Sequence, residues 1–317
     1  MITVMVINNT SLYFAAQTLI MLTPPGKYID ATSDFGFKKL LGSESNKLHL
    51  IDFLNDIFIG KHVITDLVFL KNEHQGEDKN TAKVILDISC IDNQGNYFLV
   101  ELQSTDQRFF KDRCLYYSSR FISDIAPKGA VDLWKYELPP VYLIAVMDRF
   151  SFEDNLPGQY IRRVSLMDNE TGKEFYNKLG FIYIQLAAFE KAEEDVKTGL
   201  EQWLFTIKHL SKFVDIPSFI TKPIFKRLFK IAEVAALTKE ERMAYETSLK
   251  DKWDRQNQLD FAVEKAVEKA VEQTIEDERA KAALAIENIA RNCKALNIPN
   301  ADIAKATGLS IEEIERL

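Results

Sequence analysis

The fold is decided by one stretch, Lys83-Val-Ile-Leu-Asp-Ile-Ser-Cys-Ile-Asp-Asn-Gln-Gly-Asn-Tyr-Phe-Leu-Val-Glu-Leu-Gln103. Two runs of alternating apolar side chains flank Asp92-Asn93-Gln94-Gly95-Asn96, a cluster of turn-forming residues, and this pattern predicts a β-hairpin. A symmetric loop sets Ile91 against Tyr97, Cys90 against Phe98, Ile88 against Val100, Asp87 against Glu101 and Leu86 against Leu102. Side chains two apart on a strand share a face. One face is therefore apolar (Val84, Leu86, Ile88, Cys90, Phe98, Val100, Leu102), and the other gathers Asp87, Ser89, Glu101 and Gln103. Carboxylates directly opposite each other in a sheet have Cβ atoms roughly 4.5–5.5 Å apart and repel. A hard divalent cation would turn the repulsion into coordination, because Mg2+ and Mn2+ take carboxylate oxygens and keep several waters. A solvated strand face carrying two ordinary acids is the plainer alternative, and the alternation supports the register without choosing between them.

Upstream, Asp34 to Gly60 places apolar residues at helical spacing with a break near Gly42-Ser43, which predicts two helices. Val63–Lys71, Val141–Asp148, Tyr160–Met167 and Phe181–Phe189 read as strands and Gln107–Ile125 as a helix, before the chain turns helical from Val196 onward. Strands with interleaved helices followed by helices alone describe an α/β or α+β domain with a helical extension. The organisation expected is an N-terminal extension at 1–26, a main domain at 27–195, a helical extension at 196–275 and a C-terminal helical, helix-turn-helix-like segment at 276–317. The first 22 residues are apolar but interrupted by Asn8-Asn9-Thr10-Ser11. They suit neither a signal peptide nor a membrane span, and Met21 is a candidate start.

The 317-residue chain carries 40 Lys+Arg against 47 Asp+Glu, a net charge of −7, so it lacks the overall basic footprint of a simple nucleic-acid binder. The charge is unevenly spread: residues 238–317 hold 13 cations against 17 acids, a net of −4. Any nucleic-acid contact must therefore come from a local patch or a metal. Three scattered cysteines and four histidines without HxH or HExxH spacing argue against a disulfide framework and a zinc site, and fit a cytoplasmic location. No run approaches the ~18 apolar residues of a membrane helix.

Asp87 on one strand, Glu101-Leu102-Gln103 on the next and the following helix with Arg113, Tyr116 and Tyr117 resemble the PD-(D/E)xK nuclease core in its E-x-Q form. Upstream, Asp34-Phe-Gly-Phe-Lys-Lys-Leu-Leu-Gly42 is similar to the opening D-x-x-F-K-x-x-F-G of the Rpn family of recombination-promoting nucleases and transposases. The resemblance spans Lys27 to Phe189. It implies an α/β, restriction-endonuclease-like PD-(D/E)xK core, a mixed central sheet flanked by helices, with an all-helical C-terminal extension. It further implies a DNA endonuclease that hydrolyses phosphodiester bonds with Mg2+ (or Mn2+ or Ca2+). Asp87, Glu101 and the Leu102 carbonyl would be metal ligands, Asp34 an auxiliary acid, and Gln103 would hold the place usually taken by a lysine. Glutamine can orient a water but brings no positive charge. A weakened or inactive nuclease fold that binds DNA or protein is therefore the alternative. Leu86 stands where the motif proline would be, with little chemical consequence.

Lys38, Arg113, Tyr117 and Arg120 are candidate nucleic-acid contacts. The Phe225-Lys-Arg-Leu-Phe-Lys230 segment reads either as a phosphate-contacting helix or as an amphipathic helix with buried phenylalanines. The AVEK repeat beginning at Phe261 has a period of four, which drifts around a 3.6-residue helix. It reads as an exposed helix or as a self-association element, so a homo-oligomer is a possible assembly. Ala301–Ile314 resembles a helix-turn-helix, but Glu312, Glu313 and Glu315 would repel phosphates, which favours a packing module.

Overall fold

A computed structural model describes residues 26–71, 73–74, 84–127 and 135–317. Residues 1–25 of the N-terminal extension, Met21 among them, and Lys83 lie outside the described residues. The chain forms helices α1 (Asp34–Leu41) and α2 (Lys47–Ile57), then strands β1 (Leu67–Phe69), β2 (Glu73–His74), β3 (Val84–Ile85), β4 (Ile88–Asp92) and β5 (Tyr97–Gln103). Helix α3 (Phe110–Ile125) leads to β6 (Val141–Met147), β7 (Ile161–Met167) and β8 (Glu174–Gln185). Five helices follow: α4 (Gly199–His209), α5 (Ile224–Ala232), α6 (Lys239–Ala295), α7 (Asn300–Thr307) and α8 (Ile311–Arg316).

Among the described residues, a six-stranded sheet runs in the order β1-β4-β5-β6-β8-β7, with β5, β6 and β8 mutually parallel and the outer pairs antiparallel. β6 is the near-continuous apolar run expected of a parallel strand covered on both faces. One face packs Ile88, Cys90, Phe98, Val100, Ile144 and Val146 against α1, α2, α4 and α5. On the other face Leu99, Leu143, Ala145 and Met147 lie beneath Phe110, Cys114 and Phe121 of α3. This is the mixed sheet flanked by helices that the sequence predicts.

The hairpin keeps the expected register from Ile91↔Tyr97 to Ile88↔Val100. Asp92 closes its turn, its Oδ1 accepting from the N–H groups of Gln94 and Asn96. Beyond Ile88 the structure departs from a regular ladder, and Leu86 joins the α3 face instead of the face that holds Ile88. The cause is Asp87. Its carboxylate Oδ2 accepts the Leu102 N–H at 2.9 Å, and its own N–H donates to Glu101 Oε1 at 3.0 Å, so side chains stand in for ladder partners. The polar face of the hairpin also does not face water: it lies under α3, and Glu101 and Gln103 are buried.

Helix α1 is held by its first turn. Ser33 Oγ donates to the Asp30 carbonyl and accepts from the Gly36 N–H, an N-cap. A Cβ at Gly36 would sit 2.0 Å from the Asp30 carbonyl oxygen. That neighbour is backbone and cannot swing away, so Gly36→Ala is expected to lower stability by about 1–3 kcal/mol in urea unfolding. A neutral result would show that the turn relaxes freely.

The chain forms two compact units, the first ending at Trp253 and the second running from Asp254 to Leu317. In the first, Phe225, Leu228 and Phe229 of α5 are core residues, and Lys222 is spent on Asp52 and Asp56. The amphipathic reading of that helix therefore holds. In the second, Val263, Val267 and Val271 are exposed. Ala290, Ile303 and Ile314 form a small core, with Gly308 at φ +76° ending α7 and a Ser310/Glu313 capping box starting α8. No helix among the described residues is long and apolar enough to cross a membrane.

Candidate active site

Four elements converge on the hairpin's open end. Phe37, Leu40 and Leu41 bury one side of α1, which leaves Asp34 and Lys38, one turn apart, beside Asp87. The Lys38 Nζ lies 2.6 Å from Asp34 Oδ1 and 3.3 Å from Asp87 Oδ1. Asp87 in turn meets Glu101 and Leu102 through the two bonds that interrupt the ladder. Glu101 and Gln103 alternate with Leu99 along β5 and so share the face that α3 covers.

Gln103 is anchored at both ends of its amide: Oε1 accepts from Arg113 Nη2 at 2.5 Å, and Nε2 donates to the Thr105 carbonyl at 2.7 Å. Arg113 also donates to Gln107 and lies over the ring of Tyr117. Arg113 therefore faces the carboxylate pair, a placement its helical spacing alone did not reveal. Arg120 sits farther along α3, 3.6 Å from Asp124. Asp34 reaches the pair through Lys38, and its side chain is 55% exposed.

The electrostatics are unbalanced. Glu101 is 5% exposed, and burial followed by the Asp87 charge pushes its carboxyl up to about 8. For Lys38 the charged form is the one favoured: burial opposes its charge, but the Asp34 hydrogen bond and the Asp87 charge prevail and raise its pKa. Lys38 and Arg113 offset two carboxylates, so Glu101 keeps its proton up to about pH 8 and its ionisation adds a buried negative charge with no cation of its own.

Among the described residues no three His, Cys, Asp or Glu side chains gather as a metal cluster. The carboxylates that could hold an ion here are the pair Asp87 and Glu101. That set suits Mg2+ or Mn2+, hard ions held by one or two carboxylates with waters completing the shell. A buried carboxyl next to a like charge resists ionisation, and a divalent ion there would offset what Lys38 and Arg113 do not.

The model of the PD-(D/E)XK nuclease family transposases matches residues 31–262. The chain belongs to this family. Neither the curated proteins nor the solved structures gave a match. The stretch matched to the PD-(D/E)XK nuclease family transposases continues past β8 through the first turns of α6, where the structure places residues that the sequence reading passed over. Lys252, with a 6% exposed side chain, lies 2.9 Å from Asp30 Oδ2 and 3.0 Å from Asp148 Oδ2, and also bonds Thr32. Asp148 is next to the site, since its N–H donates to the Gln103 carbonyl at 2.9 Å. The signal available was an acid ending an apolar strand and a lysine seven residues after Tyr245, and neither names its partner.

The raised Glu101 pKa has a stability consequence. The unfolded chain releases this proton near 4.5, whereas the folded one keeps it to about 8. Between those values the folded state binds more protons, so its stability falls as pH rises. Mn2+ is expected to raise the melting temperature more at pH 8 than at pH 5.5 for wild type and to lose that difference in Glu101→Gln. An equal shift at both pH values in wild type would count against a cation at Glu101.

Proposed function

We infer that this chain is a metal-dependent DNA endonuclease that hydrolyses phosphodiester bonds. The observation that carries this reading is the buried Glu101 beside Asp87, a carboxyl pair whose second ionisation burial and like charge oppose and a cation would favour, inside a domain of the PD-(D/E)XK nuclease family transposases. Asp87 and Glu101 would hold Mg2+ (or Mn2+ or Ca2+), with the Leu102 carbonyl as a further ligand. Such an ion, when bound, activates water and offsets charge on the scissile phosphate. Asp87 is kept in place by the Leu102 N–H, and Glu101 by the Asp87 N–H. α3 excludes bulk water from the Glu101 side, which strengthens every charge interaction there. Arg113, fixed through Gln103 and Gln107, presents a cation at the rim where a phosphate would approach.

Supercoiled plasmid incubated with Mg2+, Mn2+ or Ca2+ and then with EDTA tests the reading. Nicking with at least one ion and none after chelation is the expected result; no nicking under any ion overturns it. One observation favours a second reading, a fold that binds DNA without cutting it: the Gln103 amide is committed to Arg113 and Thr105. Ion-independent plasmid binding without cleavage would be its signature.

A further inference from the structure

We propose that Lys38 supplies the positive charge that position 103 lacks, reaching the reaction centre from α1 instead of from β5. The proposal rests on the endonuclease reading and assigns a catalytic residue within it. Gln103 cannot act as a cation, and its amide is turned toward α3 by Arg113 and Thr105. Arg113 is itself divided between Gln103 and Gln107. Lys38 differs from both in touching the carboxylate of Asp87 directly, at 3.3 Å, while its side chain remains 39% exposed.

Its position is fixed from several sides. The Ser33 cap and the close approach of Gly36 to Asp30 hold the first turn of α1. Phe37 and Leu40 bury the flanks of Lys38 in the core, and Lys39 is tied to Glu241 at 2.6 Å. Asp34, one turn earlier, bonds the ammonium at 2.6 Å and acts as its positioning residue. An ammonium has three N–H donors. With Asp34 and Asp87 taking two of them, one remains for a water or a phosphoryl oxygen next to Asp87.

In the step proposed, the oxygen of a water forms a bond to phosphorus as the bond from phosphorus to the leaving ester oxygen breaks. The water gives up a proton to solvent, and the leaving oxygen takes one from solvent. Lys38 keeps all its protons and acts through charge and one hydrogen bond, on the side of the carboxylate pair away from Arg113. Preorganised donors of this kind are worth about 10²–10³ in rate.

The test compares wild type, Lys38→Met, Gln103→Lys and the double variant in plasmid nicking, with Mn2+ affinity by calorimetry and melting by circular dichroism. Lys38→Met is expected to nick about 100-fold more slowly, to bind Mn2+ no more weakly than wild type and to melt as a folded protein. Adding Gln103→Lys to it is expected to restore at least about tenfold of the lost rate, because the charge returns from the β5 side. A merely structural lysine would not be rescued in this way. Lys38→Met nicking at the wild-type rate overturns the proposal, as does a folded double variant no faster than the single one, or loss of Mn2+ binding in Lys38→Met. A wild type that nicks under no ion overturns the endonuclease reading and this proposal with it. A wild type that nicks beside an equally active Lys38→Met overturns this proposal alone.

Discussion

Asp87→Ala is expected to lower ion-dependent nicking by at least about 100-fold, to the level of the EDTA control. Two losses coincide in that variant. One of the two carboxylates proposed to hold the ion disappears, and the Leu102 N–H, which donates to Asp87 Oδ2 at 2.9 Å, loses its acceptor. An unsatisfied buried N–H costs about 1–3 kcal/mol, so Asp87→Ala alone confounds chemistry with folding. Asp87→Asn separates them, because an amide oxygen can still accept from Leu102 but brings no charge. It should match Asp87→Ala in lost nicking while unfolding close to wild type in urea. Removing the charge beside Glu101 also removes one of the two causes of that carboxyl's raised pKa, so the pH dependence of Mn2+ stabilisation should weaken in both variants. Full cleavage by Asp87→Ala would end the assignment of this residue to the site.

The parts of the site legible in the sequence are those written in local code. The turn Asp92–Asn96 and the period-two alternation set the pairing of Ile91 with Tyr97 and brought Asp87 beside Glu101. The same code misplaced Leu86, because periodicity assumes that backbone groups pair with backbone groups. At Asp87 a side chain outcompetes them, and the strand turns over one residue early. The burial of Glu101 was hidden for a different reason: a hairpin pattern shows which side is polar, not what will be laid upon it. α3 covers that side, and its Arg113 reaches Gln103, a contact ten residues apart that no helical or strand spacing specifies. Lys38 was legible as a cation in the opening motif but not as the partner of Asp87, since nothing local relates α1 to the edge of β4.

The contact farthest from local code gives the largest stability effect. Lys252→Met is expected to destabilise the first compact unit by about 3–5 kcal/mol, the cost of leaving buried charge without its partner. Lys252 is the cation between Asp30 and Asp148, and its side chain is 6% exposed, so little solvent screens the loss. The Asp148 contact is an ion pair without hydrogen-bond alignment, so charge carries it. For Asp30, burial raises the pKa, but the charge and hydrogen bond of Lys252 outweigh it and hold the carboxyl below its ordinary value of 3.8. A group with a depressed folded pKa stabilises above its unfolded pKa and loses that contribution as pH falls through the folded one. Wild type should therefore lose stability on acidification below about pH 4 through Asp30, and Lys252→Met should not show that component. Adding Asp30→Asn and Asp148→Asn to Lys252→Met should recover part of the loss, because neutral amides no longer need a cation. Tyr245 and Ser248 on the same helix accept the N–H groups of Asp30 and Phe35, so the first turns of α6 close over the segment that carries Asp34 and Lys38. A chain ending at Ala236 removes all three contacts at once and should fail to melt cooperatively, whereas one ending at residue 262, where the family match ends, should melt as a folded unit. Wild-type melting of the shorter chain would show that α6 is dispensable to the nuclease fold.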